Sequence, residues 1–297
     1  MKEDKHQAAT PSVQECRFKR IITAILILTA FAQGQTQGQG QGQIRCFDDD
    51  AVFTDGEKIT YDVYFKWGLM TPKAGTASLA VKETKYQGVP AWNTCVLINS
   101  SGMVNTFFSI RDTMQNYLTK ENLRLLYSGK RTLEGGYYEM DDLAYSYKND
   151  ETRIHAIRKN RNRVKTDTVL TGGACVLDLP GSLMYARTFN WENFSAGHKY
   201  SLQVSMGKSL INVTYRYEGQ RIVERDNVKF RTRLFIVDIY DDAFTETKEA
   251  MEIWIGDDDN RIPVKIRAKL KIGAMETYYK SARNLRYPLT CRIKMPE

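Results

Sequence analysis

The side chains that carry out most hydrolytic chemistry are scarce in this chain and stand without partners. Beyond residue 32 the histidines are His155 and His198, which are far apart and belong to no catalytic spacing. Ser182 follows Gly181, but its flanks lack the second glycine of the strained turn that exposes a nucleophilic serine. No phosphate-binding glycine loop and no zinc-protease motif occurs. The sequence therefore predicts a protein that is not an enzyme.

The run from Asp257 to Asn260 (DDDN) is the densest group of oxygen ligands. A helix–loop–helix calcium site needs ligands at alternate positions, and the third of these is Arg261, which cannot bind a cation. Asp, Asn and the preceding Gly256 also favour tight turns. We therefore predict a solvated hairpin turn, no metal and no other cofactor.

Two groups of cations could attract an anionic partner. Like charges on one strand face repel unless they are paired or solvated, so a solvated face is the favoured interpretation. Contact with anionic lipid or an acidic glycan is the alternative. Glu246, Glu249 and Glu252 are placed to neutralise part of the second group. The first group comprises Arg153, Arg158, Lys159, Arg161, Arg163 and Lys165, and the second comprises Lys265, Arg267, Lys269 and Lys271.

The cysteines that follow residue 32 are Cys46, Cys95, Cys175 and Cys291. They form no CxxC motif and no Cys/His cluster, so a zinc site is not predicted. An oxidising compartment permits disulfides, and four cysteines allow three full pairings between which the sequence does not choose. A Cys46–Cys291 bridge would tie the two ends of the domain together, and buried free thiols are the alternative.

Residues 1–32 have the three parts of a cleavable secretory signal. A cationic flank (Arg17, Lys19, Arg20) precedes the apolar run 21–32, which ends in Ala-Phe-Ala. The run is shorter than the roughly 20 residues that a spanning helix needs. We therefore predict an exported protein, periplasmic or associated with the outer membrane, that is soluble after cleavage. Residues 1–32 hold five Lys/Arg and three acids, so their removal lowers the net charge of +8 by two.

The segment that follows the signal has no apolar side chains in its first part, QGQTQGQGQGQ. Such a composition cannot form a core, so residues 33–45 are predicted to be a flexible spacer. No cysteine stands at the cleavage site, which argues against a lipid anchor. Residues 46–297 are predicted to form a single β-rich domain, since no internal linker is evident. Export also argues against nucleic acid as a partner of the cations.

Alternation with a period of two dominates the predicted domain. In the first clear strand Ile59, Tyr61 and Val63 share one face, and a hairpin is predicted around Gly256–Asn260. One helix is predicted over 175–189, with Pro180 in its first turn. The fold class is therefore mainly β: a large curved antiparallel sheet or half-open barrel with one or two short helices. Other strands are predicted to begin at 77 and to span 92–98, 200–206, 210–218, 221–225 and 228–239.

Five motifs stand in order along the chain: Gly56–Trp67, Lys73–Ala77, Arg111–Thr113, the pair CVLD and YAR within 175–187, and Asp257–Val264. Together they resemble the exported domain of unknown function DUF3108 of Bacteroidetes-type bacteria, from about residue 46 to about residue 288. The resemblance implies an envelope location and an antiparallel β fold, and it implies no activity. The chain departs from the family at Pro180-Gly181, so a shorter or later helix is expected.

The hairpin from Trp254 to Ile266 also resembles that of periplasmic lipoprotein-carrier half-barrels. From this resemblance we expect a concave apolar face that holds a lipid or other amphipathic ligand. Such a face favours a non-catalytic binding or carrier module at the cell envelope. Lipid, lipoprotein or acidic glycan are the expected partners. The alternatives are a structural or assembly partner at the envelope and a glycan-acting hydrolase that uses two carboxylates. The residues expected to line the cavity are Tyr64, Trp67, Phe107, Arg111, Asp112, Tyr185 and Arg187.

Overall fold

The structure, a computed structural model, describes residues 51–293 apart from 67, 103–104, 106–108, 192–193, 242–243 and 271–272. The predicted signal, the predicted spacer and Cys46 lie outside the described residues. In the part that is described, no helix is long and apolar enough to cross a membrane.

The first half of the fold is an antiparallel meander in which each strand pairs with the next. Its strands are β1 (Lys58–Lys66), β2 (Lys73–Tyr86), β3 (Val89–Ser100), β4 (Ile110–Thr119), β5 (Leu125–Glu134), β6 (Tyr137–Lys148), β7 (Glu151–Lys159) and β8 (Val164–Gly172).

The second half begins with a short strand and a helix and continues as another meander. Its elements are β9 (Val176–Leu177), α1 (Leu179–Ala186), β10 (Lys199–Met206), β11 (Ser209–Arg225), β12 (Val228–Asp241), β13 (Phe244–Gly256), β14 (Pro263–Lys269), β15 (Ala274–Arg283) and β16 (Arg292–Ile293).

The two meanders form one sheet because β1 pairs antiparallel with β15. The free edges of this sheet approach each other, since the Gly173 N–H donates to the Gln203 side chain at 2.8 Å. Tyr145 on β6 and Ser205 on β10 also share a hydrogen bond of 2.5 Å. The result is a nearly closed, barrel-like antiparallel sheet, which confirms the predicted fold class.

The alternating pattern of the sequence decides which face of the sheet is inside. On β1, Ile59, Tyr61 and Val63 are buried while Thr60 and Asp62 are only half-buried. Because side chains alternate along a strand, the first three define an inner face that continues across the neighbouring strands. The inner face and α1 form the hydrophobic core.

The helix is shorter than the predicted span 175–189, as the Pro180-Gly181 departure suggested. Asp178 caps it: the carboxylate accepts from the Gly181 N–H at 2.7 Å. The same carboxylate accepts from Asn116 on β4 at 2.7 Å and from Ser128 on β5 at 2.6 Å. One buried side chain therefore starts the helix and fixes it to the inner face of the sheet.

A second buried polar group follows the helix. Arg187 is completely buried, and its guanidinium donates to both carboxylate oxygens of Glu57 at 2.6 and 3.0 Å. It also donates to the Asn260 carbonyl oxygen at 3.0 Å. Glu57, Arg187 and Asn260 come from three of the sequence motifs, so those motifs converge on a structural contact.

The cysteines divide into two kinds. Cys175 is disulfide-bonded, whereas Cys95 and Cys291 are free. The expected bridge between Cys46 and Cys291 is therefore wrong. Cys291 is buried beside Gly256, and its N–H donates to the Asp258 carboxylate at 3.0 Å.

Candidate functional site

The turns after β1, β3, β5, β7, β10, β12 and β14 lie at one end of the sheet, here called the mouth, and the opposite end is called the closed end. Inner-face side chains towards the closed end, such as Ile59, Leu118 and Leu125, are completely buried. Apolar inner-face side chains nearer the mouth are only partly buried, so the interior opens at this end. These are Phe65, Ala77, Val96, Ile98, Met114, Met251, Ile266, Ala268 and Met275.

The lining of the mouth changes from apolar to charged around the sheet. One inner-face row, followed from strand to strand through directly paired residues, consists of Leu79, Val96, Met114, Lys130, Asp141 and Arg158. Cross-strand partners lie about 5 Å apart, so each residue of the row touches the next. The mouth thus has an apolar wall on β1–β3 and β13–β15 and a charged wall on β4–β8.

Ion pairs organise the deeper part of the charged wall. Arg158 is buried and donates to both oxygens of Asp141, at 2.6 and 2.8 Å. Glu139, which is also buried, accepts from Lys165 at 2.8 Å and from the Tyr137 hydroxyl at 2.6 Å. Since buried charges are stable only when they are paired, these contacts explain how three buried charged side chains, Glu139, Asp141 and Arg158, are tolerated inside a barrel.

Three further charged groups of this wall lack such close pairing. Burial raises the pKa of Asp112, while nearby Lys130 lowers it. Burial and then the charge of Asp112 raise the pKa of Glu134. Lys130 is half-buried and forms no ion pair with any described residue. These groups can interact with the polar part of a bound molecule.

A small cavity of about 40 Å³ lies where the charged wall meets the helix. Its lining includes Met114, Lys130, Asp141, Leu179 and Met206. A volume of this size accommodates water rather than an organic molecule. It marks the floor of the mouth, below which the interior is filled.

The structure does not gather the residues expected to line the cavity. Of these, only Asp112 lies in the mouth. Tyr64 and Arg111 are on the outer face, where Tyr64 stacks against Arg225 at 3.8 Å. Tyr185 and Arg187 are buried in the core near the closed end. Trp67 and Phe107 lie outside the described residues.

The cation groups are largely neutralised by neighbouring acids. On β14, Arg267 lies 3.3 Å from Glu252, and Lys269 lies 2.9 Å from Glu249, as the sequence predicted. Glu246 and Lys271 cannot be placed in the described structure. In the first group Arg158 and Lys165 turn inward to acids. A solvated, paired face therefore describes the second group, whereas Arg153, Arg161 and Arg163 of the first group form no ion pair with a described residue.

The Asp257–Asn260 run forms the turn between β13 and β14, as predicted, but it is not the solvated turn expected: Asp259 is exposed, whereas Asn260 is completely buried. Asp258 accepts from the Asn260 N–H at 3.1 Å, which is a local turn contact. Across the described ranges, no three His, Cys, Asp or Glu side chains are arranged to hold a metal ion.

Sequence reasoning missed most of the charged wall. Lys130, Glu134, Glu139 and Asp141 stand on the inner face of their strands, where an apolar residue is expected. The available signal was their spacing of two or four residues within strand-like segments. Charged residues at that spacing on both strands of one hairpin indicate a polar interior.

Comparisons with known proteins agree with this fold. The family model described as "Protein of unknown function (DUF3108)" matches residues 60–280. A search of curated proteins finds no match. A solved structure of a β-barrel-like protein of the domain of unknown function DUF1849, from Brucella abortus, aligns with a TM-score of 0.53 at 9% identity. The alignment covers 78% of this chain and 98% of that chain, and it supports the fold alone.

Proposed function

Since the chain belongs to the DUF3108 family, whose function is unknown, we propose a function from the geometry of the mouth. The protein is a non-catalytic binding or carrier module of the cell envelope, and it holds a lipid or another amphipathic ligand in the open part of the barrel. The envelope location rests on the secretory signal read from residues 1–32.

The observation that carries this proposal is the two-sided lining of the mouth. Inward-facing apolar side chains such as Val96, Ile98 and Ile266 keep part of their surface exposed, which is unfavourable in water. Burial of an acyl chain against them is worth about 0.8 kcal/mol per methylene group. Lys130 and Asp112, on the charged wall that adjoins Val96 and Ile98, provide a donor and an acceptor for a polar headgroup.

Native mass spectrometry of the full protein, purified from its own host without detergent, tests the proposal directly. We expect the protein to carry the extra mass of a co-purified lipid. A clean mass for the protein alone, together with no binding of added fatty acid, overturns the proposal and favours the structural or assembly role.

A matched pair of variants tests the place of binding. Ala77 faces inward opposite Ile98, whereas Ala80 on the same strand faces outward opposite Cys95. Ala77→Phe fills the mouth and is expected to weaken the binding of a fluorescent fatty acid by about tenfold, because several methylene groups lose their contacts. Ala80→Phe should bind as the unaltered protein does. Equal binding by both variants contradicts an interior site. Circular dichroism checks their folding, and Ala268→Phe on β14 is the second mouth-filling variant.

A glycan hydrolase is the second candidate, and one observation favours it. Asp112 and Glu134 are two inward acids whose pKa values are raised mainly by burial, as in enzymes that pair a proton donor with a carboxylate. The protein is incubated with cell-wall glycan, and the release of reducing ends is measured. Release by the unaltered protein, together with no release by Asp112→Asn or by Glu134→Gln, supports this candidate. Absence of release by the unaltered protein removes it.

A further inference from the structure

The loop between β1 and β2 exposes two large apolar side chains at the rim of the mouth. Leu69 is 105% exposed and Met70 is 59% exposed. The neighbouring Lys66 and Lys73 are also exposed. An apolar tip between cations is costly in water, and it is typical of a segment that contacts another surface.

Charge is distributed unequally between the two ends of the barrel. Within the turns that the structure describes, the charged residues at the mouth are all cations: Arg161, Arg163 and Lys208. The corresponding turns of the closed end carry charges of both signs. The acids are Glu121, Asp150, Asp257, Asp258 and Asp259, and the cations are Lys120, Arg124, Arg261 and Arg286.

The cations at the mouth are available for a partner. Arg163 and Lys208 are exposed and form no ion pair with a described residue, and Arg161 lies over the Tyr138 ring at 5.7 Å. They belong to the β7–β8 and β10–β11 turns, on the side of the rim away from the β1–β2 loop. Cations and an apolar tip therefore surround one opening.

We propose that the mouth docks on an anionic lipid surface. Leu69 and Met70 insert among the acyl chains, while Lys66, Arg161, Arg163 and Lys208 contact the acidic headgroups. Lys73, beside the same loop, pairs with Asp62 instead. The complementary charge selects this occupant: each basic residue near an anionic membrane contributes attraction, and the described turns at the mouth carry no acid that opposes it. This inference goes beyond the ligand-binding function and does not depend on it, although it would bring the opening against a source of lipid.

Co-sedimentation of the full purified protein with lipid vesicles tests the docking. We expect binding to vesicles of phosphatidylcholine mixed with phosphatidylglycerol, and little binding to phosphatidylcholine alone. Binding to the mixed vesicles should fall as salt is raised, because salt screens exposed charges. Equal binding to both kinds of vesicle, or binding to neither, overturns the proposal.

Variants locate the contact. Leu69→Asp combined with Met70→Asp is expected to reduce vesicle binding by about tenfold or more, since two inserted side chains are lost. Its matched control is Ile222→Asp, because Ile222 is 56% exposed and lies near the closed end. Loss of binding in the control, or none in the double variant, contradicts the assigned rim.

A charge reversal provides the second readout. Arg161→Glu combined with Arg163→Glu should weaken binding, whereas Arg153→Glu, on the outer face of β7, should have little effect. All of these positions are exposed, so the variants are expected to fold. Fatty-acid binding in solution is measured in parallel. A protein that binds vesicles but no fatty acid refutes only the carrier function. A protein that binds fatty acid but no vesicles refutes only the docking.

Discussion

At the scale of single residues, the strongest constraint is the ion pair between Glu57 and Arg187. Both side chains are 0% exposed, so neither charge can be solvated by water if the other is removed. The pair joins the segment before β1 to the segment after α1, and its contact with Asn260 adds the β13–β14 turn. Three distant parts of the chain therefore depend on two side chains.

Arg187→Met is expected to destabilise the protein by about 3–5 kcal/mol, because it leaves the Glu57 carboxylate buried without a partner. Urea unfolding followed by tryptophan fluorescence measures the loss. The double variant Glu57→Gln with Arg187→Met should recover part of it. Lys269→Met, which breaks an exposed pair with Glu249, is the control and should lower the stability only slightly. Similar losses in the two single variants contradict this assignment.

The acids of the mouth predict a dependence of stability on pH. Burial raises the pKa of both Asp112 and Glu134 in the folded state, so folding favours their protonated forms. The stability that these two groups contribute is therefore present below their pKa values in the unfolded chain, near pH 4. It is lost as pH rises through their raised pKa values in the folded protein.

Asp112→Asn combined with Glu134→Gln removes this dependence. The double variant should be more stable than the unaltered protein at neutral pH, and the difference between their urea midpoints should shrink as pH falls to 4. Glu121→Gln, in an exposed closed-end turn, is the control and should follow the unaltered protein. Parallel curves for the double variant and the unaltered protein would falsify the prediction.

At the scale of elements, α1 depends on its cap more than on its sequence. The helix has only eight residues and includes Pro180 and Gly181, so it has little intrinsic stability. Asp178 compensates because it accepts from three donors, two of which belong to β4 and β5. The element is thus held by the sheet.

Asp178→Ala is expected to cost about 2–4 kcal/mol, which combines the loss of a cap with the loss of two buried partners. Thermal unfolding monitored by near-ultraviolet circular dichroism measures it. Asp178→Asn keeps an acceptor oxygen and should lose less. An alanine variant as stable as the unaltered protein would show that the cap does not hold the helix.

The elements also show where prediction from sequence succeeds. The alternation Ile59-Tyr61-Val63 and the turn at Gly256–Asn260 are local patterns, and the structure contains both. β11 was expected as two strands, 210–218 and 221–225. It is instead one strand with a register shift between Tyr217 and Gly219, since pairing with β12 continues on both sides.

The candidate site was harder to predict because it depends on which strands become neighbours. Asp112 was expected to line a cavity, and it does lie in the mouth. Lys130 and Asp141 were not expected there, because a charged side chain on the inner face of a strand is unfavourable unless it is paired, and its partners are not known from the sequence. Arg187 was assigned to the cavity, but its motif reflects the buried contact with Glu57. Pairing across the sheet decides these roles, and no local pattern contains it.

At the scale of the whole molecule, the free thiols report on the integrity of the barrel. Cys95 is half-buried on the outer face of β3, and burial raises its pKa. Cys291 is completely buried, and burial also raises its pKa. Because the thiolate is the reactive form, both should be slow, and Cys291 should be the slower.

Alkylation with iodoacetamide, read by mass spectrometry, should label Cys95 in the folded protein and Cys291 only across the urea transition. Cys175 should remain unlabelled until a reductant is added, since it is disulfide-bonded. In Cys95→Ser, neither Cys175 nor Cys291 should be labelled in the native protein. Equal native rates at Cys95 and Cys291 contradict the burial of Cys291.

The ladder between β1 and β15 has a consequence for the order in which the molecule is completed. Beside it, the Asn284 side chain donates to the Gly56 carbonyl oxygen at 3.3 Å, across 228 residues of chain. Closing a loop of this length costs about 5 kcal/mol of chain entropy, so the pairing of β1 with β15 is not favourable until both meanders have formed. During synthesis β1 emerges early and keeps an unpaired edge until the last long strand arrives. A chain that stops before residue 274 presents that edge to other chains, and aggregation rather than a partly working barrel is its expected fate.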